Sequence, residues 1–204
     1  MAVMKDAVPA ILPTLTEIIN RSLLISVFPS PWKESEVVPI PKDEGDPEIP
    51  NENRPVSLLL TLSKICEQVV LNQFTEYANR RNCLSENQNG NKKHHSTETL
   101  NILTSDLILE TINCEQVTTL VLLHLCKAFD SIEHISWLKK LRAMGVSKEA
   151  MEWFRSYLAG KSQAVRIGCE TSDPRPVSHG VPQGSILARQ SLIFTSIIYH
   201  LYLM

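Results

Sequence analysis

Seven basic side chains fall between residues 139 and 166 (Lys139, Lys140, Arg142, Lys148, Arg155, Lys161 and Arg166), against only Glu149 and Glu152. That net of +5 has the sign needed to track a phosphate backbone, although a set of solvated helix faces carries the same pattern. Residues 1–54 run the other way, with five bases and nine acids, and the whole chain stands at −2. Three histidines, His94, His95 and His124, have ligand chemistry but match no recognisable zinc pattern. The five cysteines, Cys66, Cys83, Cys114, Cys126 and Cys169, are odd in number and include no C-x-x-C pair. Neither a zinc site nor a disulfide framework follows, and free thiols in a reducing compartment are expected.

These groups need a scaffold. At 204 residues, 43% hydrophobic and 21% charged, the chain has the length and composition of one ordinary domain with a real core. Residues 8–27 predict a helix, with Pro9 and Pro13 in its first turns and Ile11, Leu15, Ile18, Ile19 and Leu23 along one side. Val37 to Pro41 predicts a short extended segment, whose prolines put it at a sheet edge. Thr61 to Arg81 is the clearest helix, with Leu62, Ile65, Val69, Val70, Phe74 and Tyr77 at three- and four-residue spacing and Asn82 as terminator. Ser96 is an expected N-cap for a helix on which Leu100, Leu103 and Leu107 share a face. Val117 to Leu125 predicts a strand buried on both faces. A helix over 134–144 ends at Gly145, and the next is capped by Ser147 and carries Met151, Phe154, Tyr157 and Leu158 on one face. Val165, Ile167 and Cys169 alternate as a strand would. Helices mixed with short strands indicate an α+β fold.

Four short segments sharpen the functional reading. They are Asn53-Arg54-Pro55-Val56-Ser57-Leu58-Leu59, Gln88 to Thr97, Leu122 to Asp130, and His179-Gly180-Val181-Pro182-Gln183-Gly184-Ser185-Ile186-Leu187. In this order they resemble the fingers and palm motifs of reverse transcriptases carried by non-LTR retrotransposons, elements of the jockey and CR1 kind. Connecting text is similar too, as in Leu62-Ser63-Lys64-Ile65-Cys66-Glu67 and Trp153-Phe154-Arg155-Ser156-Tyr157-Leu158. The resemblance implies the fingers and an incomplete palm of a right-hand polymerase. It divides the chain into a helical lead-in (1–30), fingers (31–115), partial palm (116–187) and a divergent apolar tail (188–204).

The resemblance also implies roles for single residues. Arg54 and Lys92 would face nucleotide phosphates, Lys92 as a point charge in place of the family's usual Arg. Leu125, Cys126 and Lys127 would offer backbone groups beneath the triphosphate, and Phe129 would block a ribose 2′-hydroxyl. Gly180, Pro182, Gln183 and Gly184 would let backbone approach template and nucleotide. Read without the resemblance, Arg54 is a partner for Glu52, Lys92 a loop solubiliser, Phe129 core, and Pro182-Gln183-Gly184 a turn.

The intact family transfers nucleotides with Mg²⁺ held by carboxylates, one of them at the end of the central palm strand in an Asp-x-x-Lys-Ala-Phe-Asp pattern. Here that position is His124, whose imidazole offers nitrogen and cannot bridge two ions. Asp130 matches the pattern's second Asp, which is not the metal ligand, and no Ala-Asp-Asp core follows. No intact catalytic set, metal site or cofactor is therefore expected. The expected partner is RNA or an RNA/DNA template–primer, weakly held. The apolar stretch from Ser191 to Met204 is too short to span a bilayer, and no secretory leader is recognisable, so a cytoplasmic or nuclear place without membrane partners is expected.

Overall fold

A computed structural model of the chain describes residues 2–42, 45–83, 89–90, 95–122, 127–188 and 191. The elements run α1 (Ala2–Leu24), a 3₁₀ turn (Ser30–Trp32), β1 (Glu34–Pro41), a second 3₁₀ turn (Pro50–Glu52) and β2 (Asn53–Leu58). There follow α2 (Thr61–Arg80), α3 (Thr97–Asn113), α4 (His134–Ala143), α5 (Lys148–Leu158), β3 (Lys161–Ile167), β4 (Glu170–Thr171) and β5 (Arg175–Val177). The fold is α+β, as the sequence indicates.

The strands form a small mixed sheet in the order β2-β1-β3-β4, with β5 also paired to β3. β1 lies antiparallel to β2 and parallel to β3. It is flanked on both sides only at Glu36 and Val37; from Val38 to Pro41 it has β2 alone, so the half that carries the prolines keeps one open side, as they suggest. Pro39 and Pro41 fall beyond the β3 pairing, on the overhang that only β2 accompanies, where Pro39 stands opposite Pro55. The missing N–H groups thus cost no ladder bond to β3.

Aromatic rings hold α1, α2, α4 and α5 together. Phe28 is fully buried, and its ring meets Tyr157, Trp153 and Trp32 edge-on at centroid distances of 5.1, 5.6 and 5.8 Å. Phe154 links this cluster to Phe74 of α2 at 5.5 Å and to Trp137 of α4 at 5.2 Å. Each such ring contributes a few kcal/mol by leaving water, with roughly 1 kcal/mol more from favourable pair geometry. The polar end of Trp153 is satisfied in place: its Nε1 donates to Ser22 Oγ at 3.0 Å, and Ser22 Oγ donates to the Val27 carbonyl at 2.7 Å.

Helix ends follow local chemistry closely. Ser96 and Thr99 form a reciprocal capping box on α3, and Ser147 caps α5 through the Ala150 N–H. Asn82 and Gly145 take left-handed backbone just past α2 and α4, at φ +51° and +81°.

Several expectations need correcting. α1 is not confined to 8–27: it spans Ala2–Leu24 with both prolines inside. Leu15 and Ile19 are buried, but Ile11 and Ile18 are exposed, so the residues around Pro13 leave its orphaned carbonyl partner to water. Val117 to Leu122 is not a buried strand. It is irregular and exposed, Val117 at 93% and Leu122 at 83%. Leu123 to Leu125 lie outside the described residues. An apolar run becomes a strand only when neighbours supply both ladder and cover, and no described strand pairs with it. α3 likewise forms from its cap and buries no residue; Leu100, Leu103 and Leu107 share a face that faces solvent. β3 exists, yet Val165 and Ile167 point outward, and Cys169 lies in the turn before β4.

Candidate functional site

Three of the four motif segments meet at the outer edge of β2. The Ser57 N–H donates to the Gln183 carbonyl at 2.7 Å, tying the 182–185 turn to the strand. Gly184 sits at φ +136°, so close that a Cβ there would lie 2.5 Å from the Ser57 carbonyl oxygen. Only glycine meets both conditions.

The same turn is joined to the segment that begins at Lys127. Gly180 N donates to Ile132 O at 2.8 Å, Val181 N to Phe129 O at 3.0 Å, and His134 Nε2 to Gly180 O at 2.7 Å. A Cβ on Gly180, at φ +75°, would stand 2.8 Å from Asp130 Cα. Gln183 Nε2 reaches Asp130 Oδ1 across a long 3.4 Å. Asn51 completes the stitching: its Oδ1 accepts from Lys127 Nζ at 2.9 Å while its carbonyl accepts from Lys42 Nζ at 2.7 Å.

Of the residues singled out from sequence, Arg54, Lys127, Phe129, Gln183 and Gly184 thus stand on segments that are joined. Arg54 lies on β2 opposite Ile40, exposed, with no ion pair among the described residues. Lys127 is exposed and held at φ +50°. Phe129 is half-buried against the hydrophobic core, so much of its ring serves packing. Lys92, His124, Leu125 and Cys126 lie outside the described residues, as does His94. What the arrangement offers chemically is a pair of exposed cations, an amide side chain and two glycines that permit close backbone approach. That set suits a phosphate-bearing polymer.

The donor set does not suit a pair of divalent ions. Among the described residues no three His, Cys, Asp or Glu side chains come together, Asp130 stands alone in the motif cluster, and residue 124 is a histidine. Mg²⁺ needs several hard oxygen ligands, and these residues do not provide them.

The basic stretch at 139–166 does not form one open track. Arg155 is paired with Glu152 at 2.7 Å and Arg166 with Glu36 at 2.9 Å. Lys161 is buried, its ammonium 3.9 Å from the Tyr157 ring centroid, and burial pulls its pKa down to about 8. Burial also lowers the pKa of Lys140. An apolar cavity of about 230 Å³ between α1, α2 and α5, lined by Val70, Phe74, Tyr77 and Trp153 among others, contains none of the motif residues.

Behind the 182–185 turn lies a group that sequence reasoning passed over. Glu67 of α2 is completely buried. Its Oε2 accepts from Ser185 Oγ at 2.7 Å, Ile186 N at 2.8 Å and Leu187 N at 3.4 Å, and its Oε1 accepts from Ser63 Oγ at 3.2 Å. Ser185 Oγ spends its only hydrogen on Glu67, so it accepts from Tyr157 Oη at 2.8 Å and Ala188 N at 3.2 Å. Burial and the neighbouring Glu67 push the Tyr157 phenol well above its ordinary pKa, and the Cys66 thiol up to about 12. The signal was present in the sequence: Glu67 shares a helical stripe with Ser63, Val70, Phe74 and Ala78, a lone acid among buried positions.

Comparison with known proteins supplies the context. Residues 40–202 match the family model described as reverse transcriptase (RNA-dependent DNA polymerase). The match runs past Leu187 into the 188–204 tail that the motif resemblance sets apart as divergent. The chain is 32% identical over 180 residues to a probable RNA-directed DNA polymerase from transposon BS of Drosophila melanogaster, covering 85% of this chain and 19% of that protein. It is 27% identical over 173 residues to the RNA-directed DNA polymerase from mobile element jockey of the same fly, with 85% and 19% covered. A retrovirus-related Pol polyprotein from type-1 retrotransposable element R2 of Popillia japonica is 23% identical over 171 residues, covering 83% of this chain and 23% of that one. The chain therefore spans about a fifth of the length of these relatives.

Proposed function

Because the chain belongs to the reverse-transcriptase family of non-LTR retrotransposons, we propose that this segment holds an RNA or RNA/DNA template–primer without joining nucleotides to it. Residues 31–115 act as fingers and 116–187 as part of a palm. The observation that carries the reading is the hydrogen-bonded meeting of β2, the Lys127–Ile132 segment and the Gly180–Ser185 turn. It gathers Arg54, Lys127 and Gln183 on one connected platform beside glycines that admit a backbone.

The absence of chemistry follows from ligand types. Nucleotidyl transfer relies on positioning and on neutralising triphosphate charge with carboxylate-bound ions. Residue 124, where the family's strand-end Asp would stand, is His. The roles left to this chain's own residues are binding and orientation: cations against phosphate, and Gln183 beside the bases.

The test pairs two assays. Filter binding of a labelled hybrid duplex under a salt titration is expected to show affinity that falls steeply as salt rises, since phosphate contacts release counterions. Primer extension with Mg²⁺ or Mn²⁺ is expected to give no product with the unmodified chain. Template-dependent extension by the unmodified chain overturns the inactive reading, and salt-independent or undetectable binding overturns the binding one. A second reading, a protein-interaction fragment, is favoured by the exposed apolar residues of α3 and 117–122. It is the one left standing if the hybrid is not bound.

A further inference from the structure

We propose that Glu67 is a positioning residue: its buried carboxylate clamps the segment from Ser185 to Leu187 and so fixes where Gln183 and Gly184 rest on β2. The nucleic-acid role of that turn rests on the function proposed above; the clamp itself stands on geometry alone.

A fully buried carboxylate is costly unless its oxygens are met by donors. Glu67 is met by four, and three of them belong to one short stretch of chain, residues 185–187. That stretch lies 118 to 120 residues away in sequence, so the contact is not a by-product of helix geometry. The turn is consequently gripped on two sides. Ser57 of β2 holds the Gln183 carbonyl and presses on Gly184, while Glu67 of α2 holds the next three residues. Tyr157 of α5 braces the clamp by donating to Ser185 Oγ. Between these grips the Gln183 side chain stays half-exposed, and among the described residues its side-chain hydrogen bond is the long one to Asp130. A turn fixed in this way presents the amide of Gln183 without having to order it on binding.

The chemistry of the clamp gives a sharp substitution series. In Glu67→Gln the amide oxygen can take the three donors of Oε2, while the amide NH₂ faces Ser63 Oγ, which can turn from donor to acceptor. Glu67→Gln should therefore rescue what Glu67→Leu removes. Ser185→Ala takes away one donor and the Tyr157 link while leaving α2 untouched.

The experiment is amide hydrogen exchange read by mass spectrometry on the full 204-residue chain, with hybrid-duplex affinity measured on the same variants. Glu67→Leu is expected to speed exchange in the peptide covering 182–188 by about tenfold or more, with α5 and the remainder of α2 still protected. The same variant should weaken hybrid binding by about tenfold, and Glu67→Gln should lie near the unmodified protein in both readouts. If Glu67→Leu does not fold, Ser185→Ala decides, with faster exchange confined to 182–188 and a several-fold loss of affinity expected. Unchanged exchange at 182–188 in the variant that folds overturns the clamp, as does loss of protection spread evenly over every helix. An unmodified chain that fails to bind the hybrid refutes the proposed function instead, and the exchange arm still decides the clamp.

Discussion

Gly184 lies against Ser57 so tightly that the 2.5 Å left for a Cβ is shorter than any non-bonded contact a side chain can accept. The obstacle is backbone, which cannot swing aside as a flexible side chain would. Gly184→Ala is therefore expected to force the 182–185 turn off β2, breaking the Ser57 N–H bond to Gln183. The cost should be about 1–3 kcal/mol from clash and unfavourable φ together. Urea denaturation measures it, and a variant as stable as the parent would show that the turn and β2 are not in contact.

Lys161 gives a pH prediction whose sign can be worked out. Burial, partly opposed by Glu67, lowers its folded pKa from 10.5 to about 8, and Lys33 adds to the lowering. Between those two values the unfolded chain holds the proton more firmly than the folded one. Stability from this group is thus complete above about pH 10.5 and is lost as pH falls towards 8, by roughly 3 kcal/mol at most. Lys161→Met keeps the stem against Phe28 and Tyr157 but removes the charge. Allowing about 1 kcal/mol for the lost contact of the ammonium with the Tyr157 ring, the variant should be more stable by about 1–2 kcal/mol at pH 7. The advantage should vanish by pH 10.5. Parallel stability profiles for the two proteins would sink the argument.

Phe28 tests the core. It connects α5 with the 3₁₀ turn at Ser30–Trp32 through three edge-on ring contacts, and its N–H donates to Ser156 Oγ at 3.0 Å. Phe28→Ala is expected to cost about 3–5 kcal/mol through lost transfer energy and the remaining void. Phe28→Leu should recover roughly half. A loss under about 1 kcal/mol in calorimetry would mean that the aromatic cluster does not carry the helical layer.

Exposed apolar side chains predict self-association. Val117, Leu120, Val121 and Leu122 follow α3, whose Ile102, Leu107 and Ile112 are each about 60% exposed. Exposed apolar side chains in this number draw copies together in water. Light scattering at micromolar concentration is expected to show oligomers that grow with concentration. The double substitution Val121→Lys with Leu122→Glu should reduce them without altering helical circular dichroism. Unchanged scattering in that variant would exonerate the segment.

What the sequence determined by itself was local chemistry and ancestry. The caps at Ser96 and Ser147, the stops at Asn82 and Gly145, and the periodicity of α2 and α5 depend on neighbours a few residues apart. Each was legible for that reason. The motifs identified the family because their order and spacing lie along the chain, and the family match bears this out. Tertiary structure decided the rest. Whether Val117–Leu122 is a strand depends on strands that pair with it, and hydrophobicity alone cannot supply a partner. How much of β1 is flanked on both sides depended on where β3, more than 120 residues later, runs alongside it. The outward faces of Val165 and Ile167 were set by the placing of β3, not by their alternation. Glu67 and Ser185 show the same limit at the site. The helical stripe of α2 marks Glu67 as an acid among inward positions, but its partners are decided only when folding brings three donors from a distant turn around it, and that meeting is what lets its carboxylate be buried.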